Sequence, residues 1–113
     1  MKNAKEIEEI TSDSIDRIKE ESKTFCKALL DLYSEKISVD IEKQALLGQN
    51  RCDILLETKK ISDYFLNKYD GTNTFIDYGV KEYFKDYGYN VFNCVIGTNK
   101  KTKEITIGFL IKW

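Results

Sequence analysis

The feature that most limits how this 113-residue chain can fold is the uneven placement of its aromatic residues. Phe25 and Tyr33 are the two aromatics of the first fifty residues, and the other twelve all follow. Good helix formers dominate the first part, whereas aromatic and β-branched residues crowd the second. One domain is therefore expected over 1–113, with a helical part at 1–50 and a strand-helix-helix-hairpin part at 51–113.

From Ala4 to about Tyr33, Ile15, Ile18, Ser22, Phe25, Leu29 and Leu32 recur at alternating spacings of three and four, which predicts a long amphipathic helix. Ile7 and Ile10 begin a slightly rotated stripe, and Glu6, Glu8 and Glu9 suit the positive end of the helix dipole. Such a stripe needs a partner. It is either intrachain core or the seam of a homo-oligomer, with Ile15, Ile18, Phe25, Leu29 and Leu32 as the interface residues in the second case.

Ser34 or Ser38 can cap a second helical stretch carrying Ile37, Ile41, Ala45 and either Leu47 or Gly48 on one face, and ending at Gly48-Gln49-Asn50. Arg51 to Thr58 places Cys52, Ile54 and Leu56 at period two, which predicts the first strand. Ile61 to Tyr69 reads as a short helix stopped at Asp70-Gly71. A further helix begins at Thr72 or Thr74, and its face holds Phe75 or Ile76, Gly79 or Val80, Tyr83, Phe84 and Tyr87, before Gly88 ends it. Tyr89 to Gly97 alternates Tyr89, Val91, Asn93 and Val95 against Asn90, Phe92, Cys94 and Ile96. Polar turn residues Thr98 to Thr102 follow, and then the clearest strand, with Ile105, Ile107, Phe109, Ile111 and Trp113 on one face. The expected fold class is α+β: a long N-terminal helix plus a small, about three-stranded, antiparallel or mixed sheet with helices packed on one face.

Histidine is absent. That excludes Ser-His-Asp and Cys-His nucleophile pairs, a histidine base and any zinc site built on imidazole. Eighteen basic residues against nineteen acidic ones leave a net charge of -1, so the basic footprint of bulk nucleic-acid or anionic-membrane binding is missing. Cys26, Cys52 and Cys94 are odd in number and never form C-x-x-C, which suits free core thiols in a reducing, cytoplasmic setting. No window approaches the ~18 continuous apolar residues of a membrane span.

Several short features together resemble a group of small α+β proteins encoded by tailed phages and large DNA viruses. They are a helix ending Ala45-Leu46-Leu47-Gly48, a strand, a helix, Gly88-Tyr89-Asn90-Val91 opening a strand, and a closing strand with Ile105-Thr106-Ile107 and Ile111-Lys112-Trp113. The resemblance covers roughly residues 37 to 113. The long first helix and the insertion from Glu57 to Asn73 depart from it. It implies a fold and a viral origin, with the host cytoplasm as location, and no particular activity.

Acid pairs such as Asp63 with Asp77, or Glu82 with Asp86, lack the companions of a metal or acid-base site and read as solvated faces. Gly97 to Lys101 joins two strands and lacks phosphate-loop spacing, so it reads as a turn. The tyrosines carry more. Tyr64, Tyr69, Tyr78, Tyr83, Tyr87 and Tyr89 are interleaved with Lys59, Lys60, Lys68, Lys81 and Lys85, a mixture suited to stacking a base or gripping a protein. Tyr83 and Tyr87 fall on the expected core face. Tyr64, Tyr69 and Tyr78 with Lys59, Lys60 and Lys85 are the ligand-binding candidates. The expected function is that of a non-enzymatic, self-associating binding protein needing no cofactor or metal. It would act as a phage counter-defence factor that sequesters a small nucleotide immune signal or blocks a host defence protein. A minor virion or assembly protein that oligomerises through its helix is the alternative.

Overall fold

The computed structural model describes residues 1–58, 73–99, 101–102 and 104–113. The expected Ile61–Tyr69 helix and the Asp70-Gly71 turn lie outside the described residues. The elements run α1 (Ala4–Asp31), α2 (Ser34–Leu46), β1 (Arg51–Thr58), α3 (Asn73–Lys85), β2 (Asn90–Asn99) and β3 (Glu104–Lys112). This is the expected α+β arrangement of a long first helix and a three-stranded sheet, here wholly antiparallel.

Local chemistry sets the element ends. Asn3 caps α1, its Oδ1 accepting from the Glu6 N–H at 2.9 Å. The last turn of α1 tightens into bonds from the Leu32 and Tyr33 N–H groups to the Leu29 and Leu30 carbonyls, and α2 restarts at once. Gly48 (φ +77°) ends α2 and Gly88 (φ +81°) follows α3. In each case two N–H groups close back on the last turn, Gly48 to Ala45 and Gln49 to Gln44, Gly88 to Lys85 and Tyr89 to Phe84. A left-handed residue is what that double closure requires, so both glycines act as C-caps.

The sheet order is β1-β3-β2, which places the chain's last strand in the centre. β3 alternates strictly: Ile105, Ile107, Phe109 and Ile111 are buried, and the residues between them are half-buried. α2 lies against β1, burying Ile37 and Ile41, while Ala45, Leu46 and Leu47 stay exposed. α3 covers the β2 side with Phe75, Ile76, Val80 and Phe84, the last ring 5.5 Å from Phe109. The described helices α2 and α3 both pack on this inner face of the sheet.

α1 packs along α3. Its residues 4–13 are all exposed, and burial begins only near Ser14 and Ile18. The arm this creates is reflected in a radius of gyration of 16.3 Å, against about 13 Å for a compact chain of this length. Among the described residues no helix is long and apolar enough to cross a membrane.

The expected alternation of β2 fails partway. Phe92 pairs with Leu110 and Val95 with Gly108, so Asn93 and Cys94 together oppose Phe109. Asn93 takes φ +55°, the left-handed residue of a β-bulge. One extra residue inverts the inward phase: Val91 faces the core before the bulge, and Cys94 and Ile96 lean toward it afterwards. Val95, read as sharing a face with Val91, instead points outward and is 62% exposed.

All three cysteines are free thiols. Burial pushes Cys26 up to about 12 and Cys94 up to about 11, and it raises Cys52 as well. These are unreactive packing residues.

Candidate functional site

Among the described residues, two surfaces are shaped as hollows. The first is a groove between α1 and α3. Ser22 and Cys26 of α1 meet Gly79 of α3 at the closest approach of the two helices: Ser22 Oγ donates to the Phe75 carbonyl and Cys26 Sγ contacts the Ile76 carbonyl at 3.7 Å. Phe25 stacks obliquely on Phe75 at 6.1 Å. This tight seam brings Lys23, Lys27 and Asp31 of α1 opposite Glu82 and Tyr83 of α3 and Tyr87 just beyond it, around a cavity of about 260 Å³.

The two lysines of this groove are each paired with a carboxylate. Lys27 Nζ pairs with Asp31 Oδ2 at 3.0 Å, Lys23 reaches Glu20 at 3.5 Å, and Lys19 sits 5.3 Å above the Tyr78 ring. Asp31 Oδ1 accepts from Tyr83 OH at 2.9 Å, and the Tyr83 and Tyr87 rings lie 5.8 Å apart. With Asp31, Glu82 and Asp86 against Lys23 and Lys27 along its wall, the groove offers an anion no net attraction.

The Asp31–Tyr83 pair titrates in opposite directions. The Lys27 ammonium, and then the Tyr83 hydroxyl, hold Asp31 below the usual carboxylate range. Burial, and then the bond to Asp31, push the Tyr83 phenol above the usual tyrosine range. Asp31 thus stabilises the fold above the ordinary carboxylate pKa, and that support is lost as pH falls through its folded value. Tyr83 stabilises it below the ordinary tyrosine pKa of about 10, and that support is lost as pH rises through its folded value. In an ultraviolet titration of phenolate, Tyr83→Phe should delete a late-ionising step. Asp31→Asn should shift that step to lower pH without deleting it, because burial remains the larger cause. An unaltered late step in Tyr83→Phe would exclude this assignment.

The second surface is the outer face of the sheet. Reading across β1, β3 and β2, its rows are Arg51–Lys112–Asn90, Asp53–Leu110–Phe92, Leu55–Gly108–Val95 and Glu57–Thr106–Gly97. Leu55 is 58% exposed and Phe92 44%; no described helix packs on them, and Lys112 Nζ lies 5.2 Å from the centre of the Phe92 ring. Gly108, lacking a side chain, floors a hollow of about 310 Å³ between Leu55, Val95 and Leu110. Sequence reasoning missed this face because the bulge that turns Val95 outward has no signal in the alternation itself.

Of the residues expected at a ligand site, Tyr78 and Lys85 fall among the described residues. Tyr64, Tyr69, Lys59 and Lys60 lie outside the described residues, as does Asp63. Tyr78 is half-buried beneath Lys19, and Lys85 is exposed at the end of α3. Tyr83 and Tyr87, expected in the core, stand at the groove instead: Tyr83 is half-buried and Tyr87 exposed, because the buried face of α3 runs through Ile76, Val80 and Phe84. The expected oligomer stripe is divided. Leu29 is buried in the intrachain core, with Ile18 and Phe25 packed against it, while Ile15 and Leu32 are exposed. Among the described residues no group of three or more acidic or cysteine side chains could hold a metal ion, and Asp77 is engaged with Lys81 at 2.9 Å. No protein-family model, curated protein or solved structure matches the chain.

Proposed function

We propose that the protein is a binding protein that acts by occupying a partner protein, with the projecting arm of α1 as its contact. The observation that carries this reading is the arm's apolar stripe. Ile7, Ile10 and Ile15 are 49%, 44% and 47% exposed, and every residue from 4 to 13 is exposed. Ile7 continues the line of Ile18, Phe25 and Leu29, so the stripe covered by α3 further along is left bare here. An amphipathic helix presenting isoleucines at these spacings suits insertion into an apolar groove. In the phage setting implied by the sequence resemblance, the partner would be a host defence protein, and blockade would require no chemistry.

The test places a photo-reactive residue at position 10 in the full chain and identifies what it cross-links in the cells that produce it. Binding is then reconstituted from the two purified proteins. Ile7→Glu/Ile10→Glu should weaken that binding at least tenfold, since each buried isoleucine contributes about 2 kcal/mol. The melting temperature should not change, because neither residue is packed. Cross-links to further copies of the chain alone would replace this reading with the assembly one. A melting temperature raised by nucleotides, and unaffected by the arm variant, would replace it with nucleotide capture.

A further inference from the structure

We infer that the outer face of the sheet is the contact between two copies of this chain, stacked face to face with their strands antiparallel. The inference stands independently of the arm's role, because arm and outer face are separate surfaces.

The occupant follows from the face's own pattern. One end carries Arg51 and Lys112, the middle carries Leu55, Phe92, Val95 and Leu110, and the other end carries Glu57 and Glu104. A two-fold axis lying in the contact plane, perpendicular to the strands and crossing β3 near Phe109, reverses this order in the second copy. Row then lies over row. Leu110 of each copy meets the hollow above Gly108 of the other, and Phe92 meets Val95. Arg51 comes to Glu57 twice, once at each end. Asp53 is on an edge strand, where its carboxylate keeps its water. A two-fold axis parallel to the strands along β3 would instead place Lys112 over Lys112 and gather both copies' Arg51 and Lys112 at the same end, which like-charge repulsion disfavours. A self-complementary patch is what an isologous dimer requires.

The face also sets the strength. Three strands spaced about 4.8 Å and a nine-residue central strand rising about 3.3 Å per residue cover about 14 by 30 Å. That lies at the small end of protein interfaces, so a dimer with a dissociation constant in the micromolar range is expected. The helix layers lie outside the stacked sheets, and both arms remain free.

Sedimentation equilibrium of the full chain from about 1 to 200 μM is the test, a range that spans micromolar association. The wild type should move from 13.2 kDa toward twice that mass as concentration rises. Arg51→Glu and Glu57→Arg should each weaken the dimer at least about tenfold, and the double exchange should restore it, because the pair is reformed with its signs swapped. Gly108→Ala should weaken it too. A Cβ there meets nothing nearer than 3.7 Å within its own chain, so the monomer accommodates it while the hollow is reduced. A monomer at the highest concentration overturns the inference. So does a dimer insensitive to Arg51→Glu, a double exchange that fails to restore association, or a dimer abolished by Ile7→Glu/Ile10→Glu.

Discussion

Gly79→Leu is expected to lower the melting temperature by about 12 °C, corresponding to about 3 kcal/mol for a domain of this size. Even a Cβ at this position would lie 2.6 Å from both the carbonyl oxygen and Oγ of Ser22, and nearer still to Cys26 Sγ. Real Cβ atoms do not approach other heavy atoms so closely, so α1 and α3 must separate. That would break the Ser22 bond to the Phe75 carbonyl and loosen the Phe25–Phe75 contact. Gly79→Ala should cost less, about 1–2 kcal/mol, since alanine's better helix propensity offsets part of the strain. Adding Cys26→Ala should not rescue it. That change removes the sulfur, but the Ser22 carbonyl belongs to the backbone and stays. Thermal melts of the three variants followed by circular dichroism decide the matter, and a Gly79→Leu protein melting within about 2 °C of wild type would refute the close approach.

Ile107→Ala should remove about 2–5 kcal/mol, the range for a truncation that leaves a cavity the surroundings cannot close. Ile107 is fully buried on the central strand, with Leu56 and Ile96 paired to either side of it. Neighbouring strands hold both edges of β3, so it cannot shift to fill the space. Leu55→Ala and Val95→Ala also remove branched side chains from the same sheet, yet at low micromolar concentration each should cost no more than about 0.5 kcal/mol. Their side chains point the other way and lie more than half in water. Urea titrations of the three variants read the contrast directly. Similar losses for Ile107→Ala and Val95→Ala would mean that the bulge does not invert the strand as described.

The two experiments probe different kinds of information. Val95 is apolar, and by simple alternation it belongs with Val91; only the extra residue at Asn93 and Cys94 sends it outward. Nothing in a single strand announces a bulge, because its cause is the pairing with β3. The groove shows the same limit. Lys27 and Asp31 are four apart on one helix, so their pairing could be read from spacing, but Tyr83 reaches Asp31 from a helix 52 residues away. Tyrosines as binding candidates were visible in the sequence. Which tyrosine meets which carboxylate was not.

What the sequence determined by itself, among the described residues, was the set of elements and the inward faces of β1 and β3. Gly48 and Gly88 end helices because a left-handed residue is needed there, Arg51 to Thr58 is a strand through its period of two, and β3 buries Ile105, Ile107, Phe109 and Ile111 as its alternation requires. These depend on neighbours within about four residues, so the chain carries the information locally. The tertiary structure alone decided the strand order β1-β3-β2, the choice of α3 as partner for α1, and the bare outer face of the sheet. Each of those depends on surfaces made by residues far apart in the chain. The small side chains Ser22, Cys26 and Gly79 acquire their meaning only once folding sets them against one another.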